Sequence, residues 1–396
     1  MVRRKVLFLT NIPSPYKIDY LNELGKYCDL KVVFEKSADS SRPDSWKNSI
    51  RGDLDFEYTV LNGLSIDAKF YGDDQGYAPD DKAFSPSVIK HINRKYDVII
   101  VGNPCTPTGI IAILYMQMKK IAYCIQSEGG FPGSGKGFKE KLKYRLMSRA
   151  DLFFSTCSLG DNYFYTYGAS EDKIRRYNFT SMYKSDIPDE IVSIDEKSFL
   201  KSKLGIDKDL MILTVGRSVP VKGYDALIRA YKGVNDKLIS TINKNSSLYL
   251  VGAEKTREYE TIIESEHISD VYFIKNLPFD QVKDYYLAAD VFILPTRRDV
   301  WGLVINEAMA YGLPVISTDK CVAADALIDD GEGGIIVKVD DEDGFRNAQI
   351  RLLTDSEERK RMGAVNHQKI RNNTLEQMGI TISRHIEDYC RSRDAR

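Results

Sequence analysis

Apolar runs of about four to six residues recur along the chain, each closed by a polar or glycine-bearing stretch, and they alternate with segments of helical apolar spacing. In the first half, Lys5–Thr10, Lys31–Phe34, Tyr96–Val101, Ile121–Ile125, Asp151–Thr156 and a run near Arg175–Phe179 read as strands. Helical patterns fall between them, over about Lys17–Tyr27, over Pro107–Lys119 and up to about Tyr167. The strand runs are continuously apolar, which marks strands buried on both faces, as in a parallel sheet. Residues 181–196 lose periodicity and gain charge, and read as a linker. Beyond it a short helix is expected over Ser198–Leu204, with strands at Met211–Val215, Leu248–Val251, Val271–Ile274, Val291–Leu294, Pro314–Ser317 and Ile335–Lys338. A long helix from Tyr224 and helices over Phe279–Ala289 and from about Trp301 to Gly312 separate them, and further helices, the last over Thr381–Arg393, close the chain. The pattern predicts an α/β protein of two domains, 1–185 and 197–374. Residues 37–84 are polar and rich in Asp, Gly and Tyr, and are expected to hold a strand or two among long loops.

Length agrees with two domains of ordinary size, since 396 residues exceed what one core usually organises. A net charge of −1 with mixed signs gives no reason to expect nucleic acid binding. The six cysteines are scattered, without a C-x-x-C or a histidine at ligand spacing, and read as buried thiols of a reducing compartment. No run approaches the length of a membrane span, and the N-terminal MVRRKVLFLTNIPSP does not read as a signal peptide, so a cytoplasmic location is expected. No G-x-G-x-x-G follows the first strand, which disfavours a dinucleotide dehydrogenase.

The densest chemistry lies in residues 286–318. A strand ends at Pro295, a polar loop carries Asp299, and a helix opening near Gly302 carries Glu307, eight residues after Asp299. Loops after parallel strands are where open α/β sheets bind ligands. Gly302 lets a ligand come close to the backbone, and the N–H groups of Leu303 and Val304 are first-turn donors suited to an anion. An acid in the loop, an anion-binding turn and an acid on the helix together suit a sugar diphosphate.

The string Gly302–Val304, Glu307–Ala310, Gly312 and Pro314–Ile316 resembles the E-x7-E signature of the retaining, family-4 glycosyltransferases of the GT-B fold, with Asp299 in place of the first glutamate. The loop Gly216–Gly223 is similar to the family's GR-x-x-x-x-KG, matched by Arg217, Lys222 and Gly223. The resemblance implies two Rossmann-like domains facing a central cleft, with the C-terminal helix, about 375–396, packed back on the first. It implies a nucleotide-diphosphate sugar donor, UDP-linked by family frequency, held by Arg217, Lys222, Gly252, Gly302, Leu303, Val304 and Glu307. Glu307 would take the ribose hydroxyls and Asp299 the donor sugar, while Arg217 and Lys222 would stabilise the departing diphosphate. No cofactor and no metal is expected, and the acidic stretches Asp53–Asp55 and Asp341–Asp343 read as solvated loops.

The first-domain loop has no glycine, and its Asn11, Pro13 and Tyr16 are similar to the acceptor side of bacterial polysaccharide-assembly transferases. Glu128, after the strand ending at Ile125, stands near where relatives often carry a histidine that helps position the donor sugar or acceptor, and it is a catalytic candidate in that place. Residues 136–149 hold Lys136, Lys139, Lys141, Lys143, Arg145 and Arg149 beside the apolar stripe Phe138, Leu142 and Leu146. Such a helix either lies on an anionic membrane surface or packs its stripe on the core with a solvated basic face. The family's frequent use of lipid-linked glycan acceptors favours the first. Together these features imply a transferase that extends a bacterial surface polysaccharide such as capsule or lipopolysaccharide. A nucleotide-sugar 2-epimerase of the same architecture, and a nucleotide-sugar-binding protein that has lost activity, are the alternatives.

Overall fold

A computed structural model describes residues 3–37, 50, 53–61, 63–66, 82–133 and 137–395. The chain divides into two compact units, residues 1–181 with 373–396, and residues 182–372.

In the first unit, β1 (Lys5–Thr10), α1 (Pro15–Gly25), β2 (Asp29–Phe34), β3 (Glu57–Val60), the short strands β4 (Leu64–Ile66) and β5 (Lys82–Phe84), β6 (Val98–Val101), α2 (Pro107–Lys119), β7 (Cys124–Gln126), α3 (Phe138–Met147), β8 (Leu152–Ser155), α4 (Ser158–Thr166) and β9 (Ile174–Arg176) follow in order. Seven strands form a parallel sheet in the order β3-β2-β1-β6-β7-β8-β9, and β4 and β5 pair antiparallel on their own. Every residue of β1 after Lys5 is buried, as a strand covered on both faces must be. On one face Leu7, Leu9, Val33, Ile99, Val101 and Phe153 pack against Ile113 and Met116 of α2 and Phe164 of α4. Pro15 occupies the first helical turn of α1, where its fixed φ and missing N–H cost nothing, so the helix starts before the expected Lys17 and takes in Tyr16. Most of the 37–84 segment lies outside the described residues.

The second unit runs α5 (Ile194–Lys203), β10 (Leu210–Val215), α6 (Tyr224–Tyr231), α7 (Val234–Ile242), β11 (Ser246–Val251), α8 (Arg257–Ser265), β12 (Val271–Ile274), α9 (Phe279–Ala288), β13 (Val291–Leu294), α10 (Leu303–Ala310), β14 (Val315–Thr318), α11 (Val322–Leu327), β15 (Gly334–Val337), α12 (Glu342–Thr354) and α13 (Ser356–Ile370). Its parallel sheet has the order β12-β11-β10-β13-β14-β15. The expected long helix from Tyr224 is two helices, because Gly233 takes φ +75° between them. α5 starts at Ile194, inside the expected linker, where Ser193 and Glu196 form a capping box.

The last helix, α14 (Leu375–Asp394), belongs to the first unit and packs on α1. Its bounds agree with the helix expected at about 375–396 and exceed the apolar pattern over 381–393, because Thr374 caps it by accepting from the Gln377 N–H. Both sheets reverse direction of winding at one point, between β1 and β6 in the first and between β10 and β13 in the second. Loops leaving the carboxyl ends of those strands flank a crevice, the place where such sheets bind ligands.

Candidate functional site

At the β10/β13 crevice of the second unit, Arg217 and Lys222 come from the loop after β10, and Asp299 from the loop after β13. Lys222 Nζ donates to Asp299 Oδ2 at 2.6 Å, with both side chains largely buried. The other carboxylate oxygen accepts from the Trp301 N–H at 3.3 Å. The Asp299 N–H itself donates to the Lys320 carbonyl. Asp299 is therefore fixed, and it fixes Lys222 in turn. The loop that carries Lys222 is clamped from β13's side: Arg297 donates to the Pro220 carbonyl at 2.6 Å and to Asp225 at 2.7 Å. Gly223 ends that loop at φ +66°, where a Cβ would come within 2.3 Å of the Pro295 carbonyl, so no other residue fits.

Gly302 opens α10 at φ +100°, and a Cβ there would meet Cys321 Sγ at 2.9 Å. This turn brings the first-turn N–H groups of Leu303 and Val304 beside Asp299 and sets Glu307 just over one turn further along. Tyr286 of α9, itself fully buried, donates its hydroxyl to Glu307 Oε2 at 2.7 Å. Burial pushes the Glu307 carboxyl above the usual range, and the Tyr286 hydrogen bond acts against that rise. Tyr311 stacks on Tyr286 with ring centroids 5.5 Å apart. Gly252 ends β11 next to Gly216, whose N–H donates to Val251. The structure thus gathers Arg217, Lys222, Gly252, Asp299, Gly302, Leu303, Val304 and Glu307 along one sheet edge. The crevice offers a cation, backbone donors and a carboxylate, a set suited to a phosphorylated and hydroxylated ligand.

In the first unit the sequence-derived residues form a second constellation at β1 and β7. Tyr16 donates its hydroxyl to both oxygens of Glu128, at 3.1 and 3.2 Å. Lys17 Nζ lies 3.5 Å from Glu128 and donates to Asn11 Oδ1 at 3.0 Å. Burial of Lys17 works against its charge, but Tyr16, Glu128 and Glu35 outweigh it and hold its pKa above the ordinary value. Pro13 is buried under the loop. Glu128 is thus held by Tyr16 and Lys17 at the carboxyl end of β7. Glu35, at the end of β2, is buried and accepts from Thr106 at 2.6 Å, and burial pushes its carboxyl up to about 7.

Sequence reading passed over Lys17, Glu35, Tyr286 and Arg297. Lys17 and Glu35 follow strand-end or loop positions at the sheet's carboxyl edge, which was the available signal. Tyr286 and Arg297 carry none, because each acts through a partner far along the chain. The basic segment is α3. Its stripe does not face one way: Leu146 is core, Leu142 is half-buried, and Phe138 is 80% exposed. Lys143 pairs with Glu140 and lies over the Tyr167 ring, whereas Lys139, Lys141, Arg145 and Arg149 are exposed; Lys136 lies outside the described residues. Asp341 caps α12 and Asp343 pairs with Arg346. Among the described residues no group of three His, Cys, Asp or Glu side chains could hold a metal ion, and no helix is long and apolar enough to cross a membrane.

Residues 196–369 match the family model "Glycosyl transferases group 1". The chain is 28% identical over 214 residues to a D-inositol 3-phosphate glycosyltransferase of Stackebrandtia nassauensis, covering 51% of this chain and 46% of that one. It is 27% identical over 176 residues to the lipopolysaccharide glucosyltransferase WaaG of Escherichia coli, covering 44% of each. The chain thus spans about half the length of these relatives. To the putative teichuronic acid biosynthesis glycosyltransferase TuaC of Bacillus subtilis it is 24% identical over 343 residues, covering 80% of this chain and 81% of the other. Among solved structures, sucrose-phosphate synthase of Thermosynechococcus elongatus superposes with a TM-score of 0.73 at 16% identity, covering 98% of this chain and all of that one. HepE of Anabaena, solved in complex with UDP-glucose, gives a TM-score of 0.70 at 16% identity, covering 98% of this chain and 99% of the other. The chain has the GT-B fold, and the residues gathered around Glu307 lie in a segment that matches the group 1 glycosyl transferases.

Proposed function

We propose that the protein is a retaining glycosyltransferase that moves a sugar from a nucleotide-diphosphate donor, a UDP-sugar, to a hydroxyl of a lipid-linked or oligosaccharide acceptor in bacterial surface polysaccharide synthesis. The observation that carries the reading is the cluster of Lys222, Asp299, Gly302 and Glu307 at the β10/β13 crevice, inside the segment that matches the family. Relatives named for lipopolysaccharide and teichuronic acid synthesis support the acceptor class, and the UDP-glucose complex of HepE supports the donor class.

In this reading the donor's anomeric C–O bond to the diphosphate breaks as the acceptor oxygen attacks from the same face, and the acceptor proton passes to the departing phosphate oxygen. Negative charge grows on the diphosphate, so groups that meet it there lower the barrier. Arg217, the Lys222 ammonium and the Leu303 and Val304 amides offset that charge without a metal. Glu307, steadied by Tyr286, accepts from the ribose hydroxyls. Asp299 holds Lys222 at phosphate height and meets the donor sugar with a side chain one methylene shorter than the family's glutamate. The first unit supplies the acceptor side through Asn11, Tyr16 and Glu128. The exposed Phe138, Tyr144, Lys139, Lys141 and Arg145 of α3 supply contact with an anionic membrane surface.

The test is a thermal-shift comparison of the protein with UDP, GDP, CDP, ADP and NAD, alongside Glu307→Ala. A ligand at 100 times its Kd adds about 2.7 kcal/mol of stability. Selective stabilisation by one nucleoside diphosphate, lost in the variant, is expected. Stabilisation by NAD, or by no diphosphate, would overturn the donor reading. Turnover of UDP-GlcNAc with no acceptor present would favour an epimerase.

A further inference from the structure

Lys222 carries its charge on a flexible four-carbon stem, so its ammonium has a defined place only if both ends of the residue are held. The backbone end lies in a single tight turn, Pro220–Lys222. Its ties all lead to residues 295–297. The Val221 carbonyl accepts from the Arg297 N–H at 2.7 Å and from the Thr296 hydroxyl at 3.0 Å. The Pro220 carbonyl accepts from Arg297 Nη1 at 2.6 Å. On the other side of Lys222, Gly223 lies against the Pro295 carbonyl. Lys222 therefore sits between two fixed neighbours, while Asp299 holds its ammonium at 2.6 Å.

The rest of the Arg297 guanidinium anchors these ties. Its Nε donates to both oxygens of Asp340, at 2.8 and 3.0 Å, and its Nη2 donates to Asp225 Oδ2 at 2.7 Å. Asp340 follows β15, and Asp225 lies in the first turn of α6. One planar side chain thus joins the loops after β10, β13 and β15, which needs a fork of fixed donors and not the single charged point of a lysine. Asp340 takes φ +58°, a left-handed conformation that aspartate and asparagine adopt more readily than most residues.

We infer that Arg297 is a positioning residue for the phosphate end of the nucleotide site: it acts through Lys222 and not on the ligand, and it keeps the ammonium where a diphosphate arrives. The inference rests on Lys222 meeting the diphosphate of the donor. A cation ordered in advance loses less conformational freedom when the ligand binds. Loosening the turn therefore weakens the hold on the phosphates and leaves the nucleoside end as it was.

The experiment measures UDP and uridine binding to the full chain by calorimetry, with uridine read by displacement of UDP. The proteins are wild type, Arg297→Lys, Asp340→Asn, Lys222→Ala, and Lys222→Ala combined with Arg297→Lys. Arg297→Lys keeps the charge and removes the fork. Asp340→Asn loosens the far anchor, retains one acceptor oxygen and suits the left-handed backbone, so it decides the question if Arg297→Lys fails to fold. Expected is a loss of about tenfold in UDP affinity for Arg297→Lys, the size of a hydrogen bond to a charged group, and a smaller loss for Asp340→Asn. Uridine affinity should stay within about twofold of wild type in both, the range in which independent sites add. In the Lys222→Ala background, Arg297→Lys should change UDP affinity by less than about twofold, because a residue that acts through another loses its effect once that other is gone. Equal losses for UDP and uridine would show a general packing defect. An undiminished loss without Lys222 would show that Arg297 touches the phosphates itself. Either result overturns the inference, as does UDP affinity unchanged in both single variants at Arg297 and Asp340. Wild-type affinity for UDP no greater than for uridine would instead overturn the donor reading on which the inference depends.

Discussion

At the scale of single residues, the second unit turns on how one buried hydroxyl serves one carboxylate. Tyr286 donates to Glu307 Oε2 and so sets the orientation in which the carboxylate is offered to a ligand. Tyr286→Phe keeps the ring stacked near Tyr311 and removes only the donor. A hydrogen bond to a charged group is worth about 1.5–3 kcal/mol, so nucleoside diphosphate affinity is expected to fall by roughly tenfold or more. The loss should shrink for a 2′,3′-dideoxynucleotide, which has no hydroxyl for Glu307 to hold; equal losses for both nucleotides would show a general packing defect. Glu35 yields a different measurement. Its folded pKa of about 7 stands above the ordinary 4.5, so between those values the folded chain binds more protons than the unfolded one. By linkage, stability from this group is fully present below about 4.5 and is lost as pH rises through about 7, by an amount on the order of 3 kcal/mol. Glu35→Gln retains an acceptor for Thr106 and abolishes the titration. The variant should gain melting temperature over wild type at pH 8 and lose that gain at pH 4.5, as calorimetric scans at the two pH values would show.

At the scale of elements, α3 shows what hydrophobic spacing can and cannot say. Phe138, Leu142 and Leu146 recur every four residues, which reads as one stripe, yet Leu146 is core and Phe138 stands out in solvent. The helix is only ten residues long and its buried residues, Leu146 and Met147, lie at its C-terminal end, so one stripe serves two environments. The exposed aromatics Phe138 and Tyr144 stand among Lys139, Lys141 and Arg145, the pairing that interfacial helices use. Charge reversal at Lys141 and Arg145 should reduce sedimentation with anionic vesicles, at about 1 kcal/mol per basic residue removed, and leave neutral vesicles and the melting temperature unchanged. Equal sedimentation of wild type and variant would leave α3 a solvated basic face. Leu146→Ala should instead destabilise by about 2–5 kcal/mol without a specific effect on vesicles. The strands were readable for a simple reason: buried on both faces, they carry runs of apolar residues, and β10, β11 and β13 fall where those runs lie. The α10 turn was readable because Gly302 and Glu307 sit in one short segment. The split at Gly233 was missed because the apolar spacing continues through it, and only backbone conformation separates α6 from α7. The Lys17–Glu128 pair was missed because it joins residues 111 positions apart, and no local pattern records such a contact.

At the scale of the molecule, the two units use the same device, a crevice where the winding of a parallel sheet reverses, with different chemistry in each. The second unit is one continuous stretch of chain, 182–372, whereas the first is closed by the far end, 373–396. Leu375, Met378, Ile382, Ile386 and Cys390 of α14 are buried, and the helix is tied to strand ends by Arg4–Glu387 and by Tyr389 donating to Asp151. Fully burying a large apolar side chain contributes about 1.5–3 kcal/mol, so this face contributes roughly 10 kcal/mol, comparable with the whole stability of a domain. Contact is close enough that a Cβ at Gly379 would come within 3.0 Å of the Glu23 backbone on α1. Gly379→Leu should therefore push α14 off α1 and destabilise the first unit by several kcal/mol through overpacking and lost burial. Ending the chain at residue 372 should remove its cooperative unfolding altogether. The second unit keeps its whole core in both variants, because Leu210 through Met362 all lie within 182–372. Urea unfolding followed by tryptophan fluorescence isolates that unit, since Trp301 is buried near Asp299 and the other tryptophan, Trp46, can be replaced by Phe. The Trp301 transition should hold its midpoint in Gly379→Leu while the far-ultraviolet signal acquires an earlier phase. A Trp301 midpoint that falls with it would mean that the units unfold as one, and that α14 stabilises the β10/β13 crevice as well as the unit it covers.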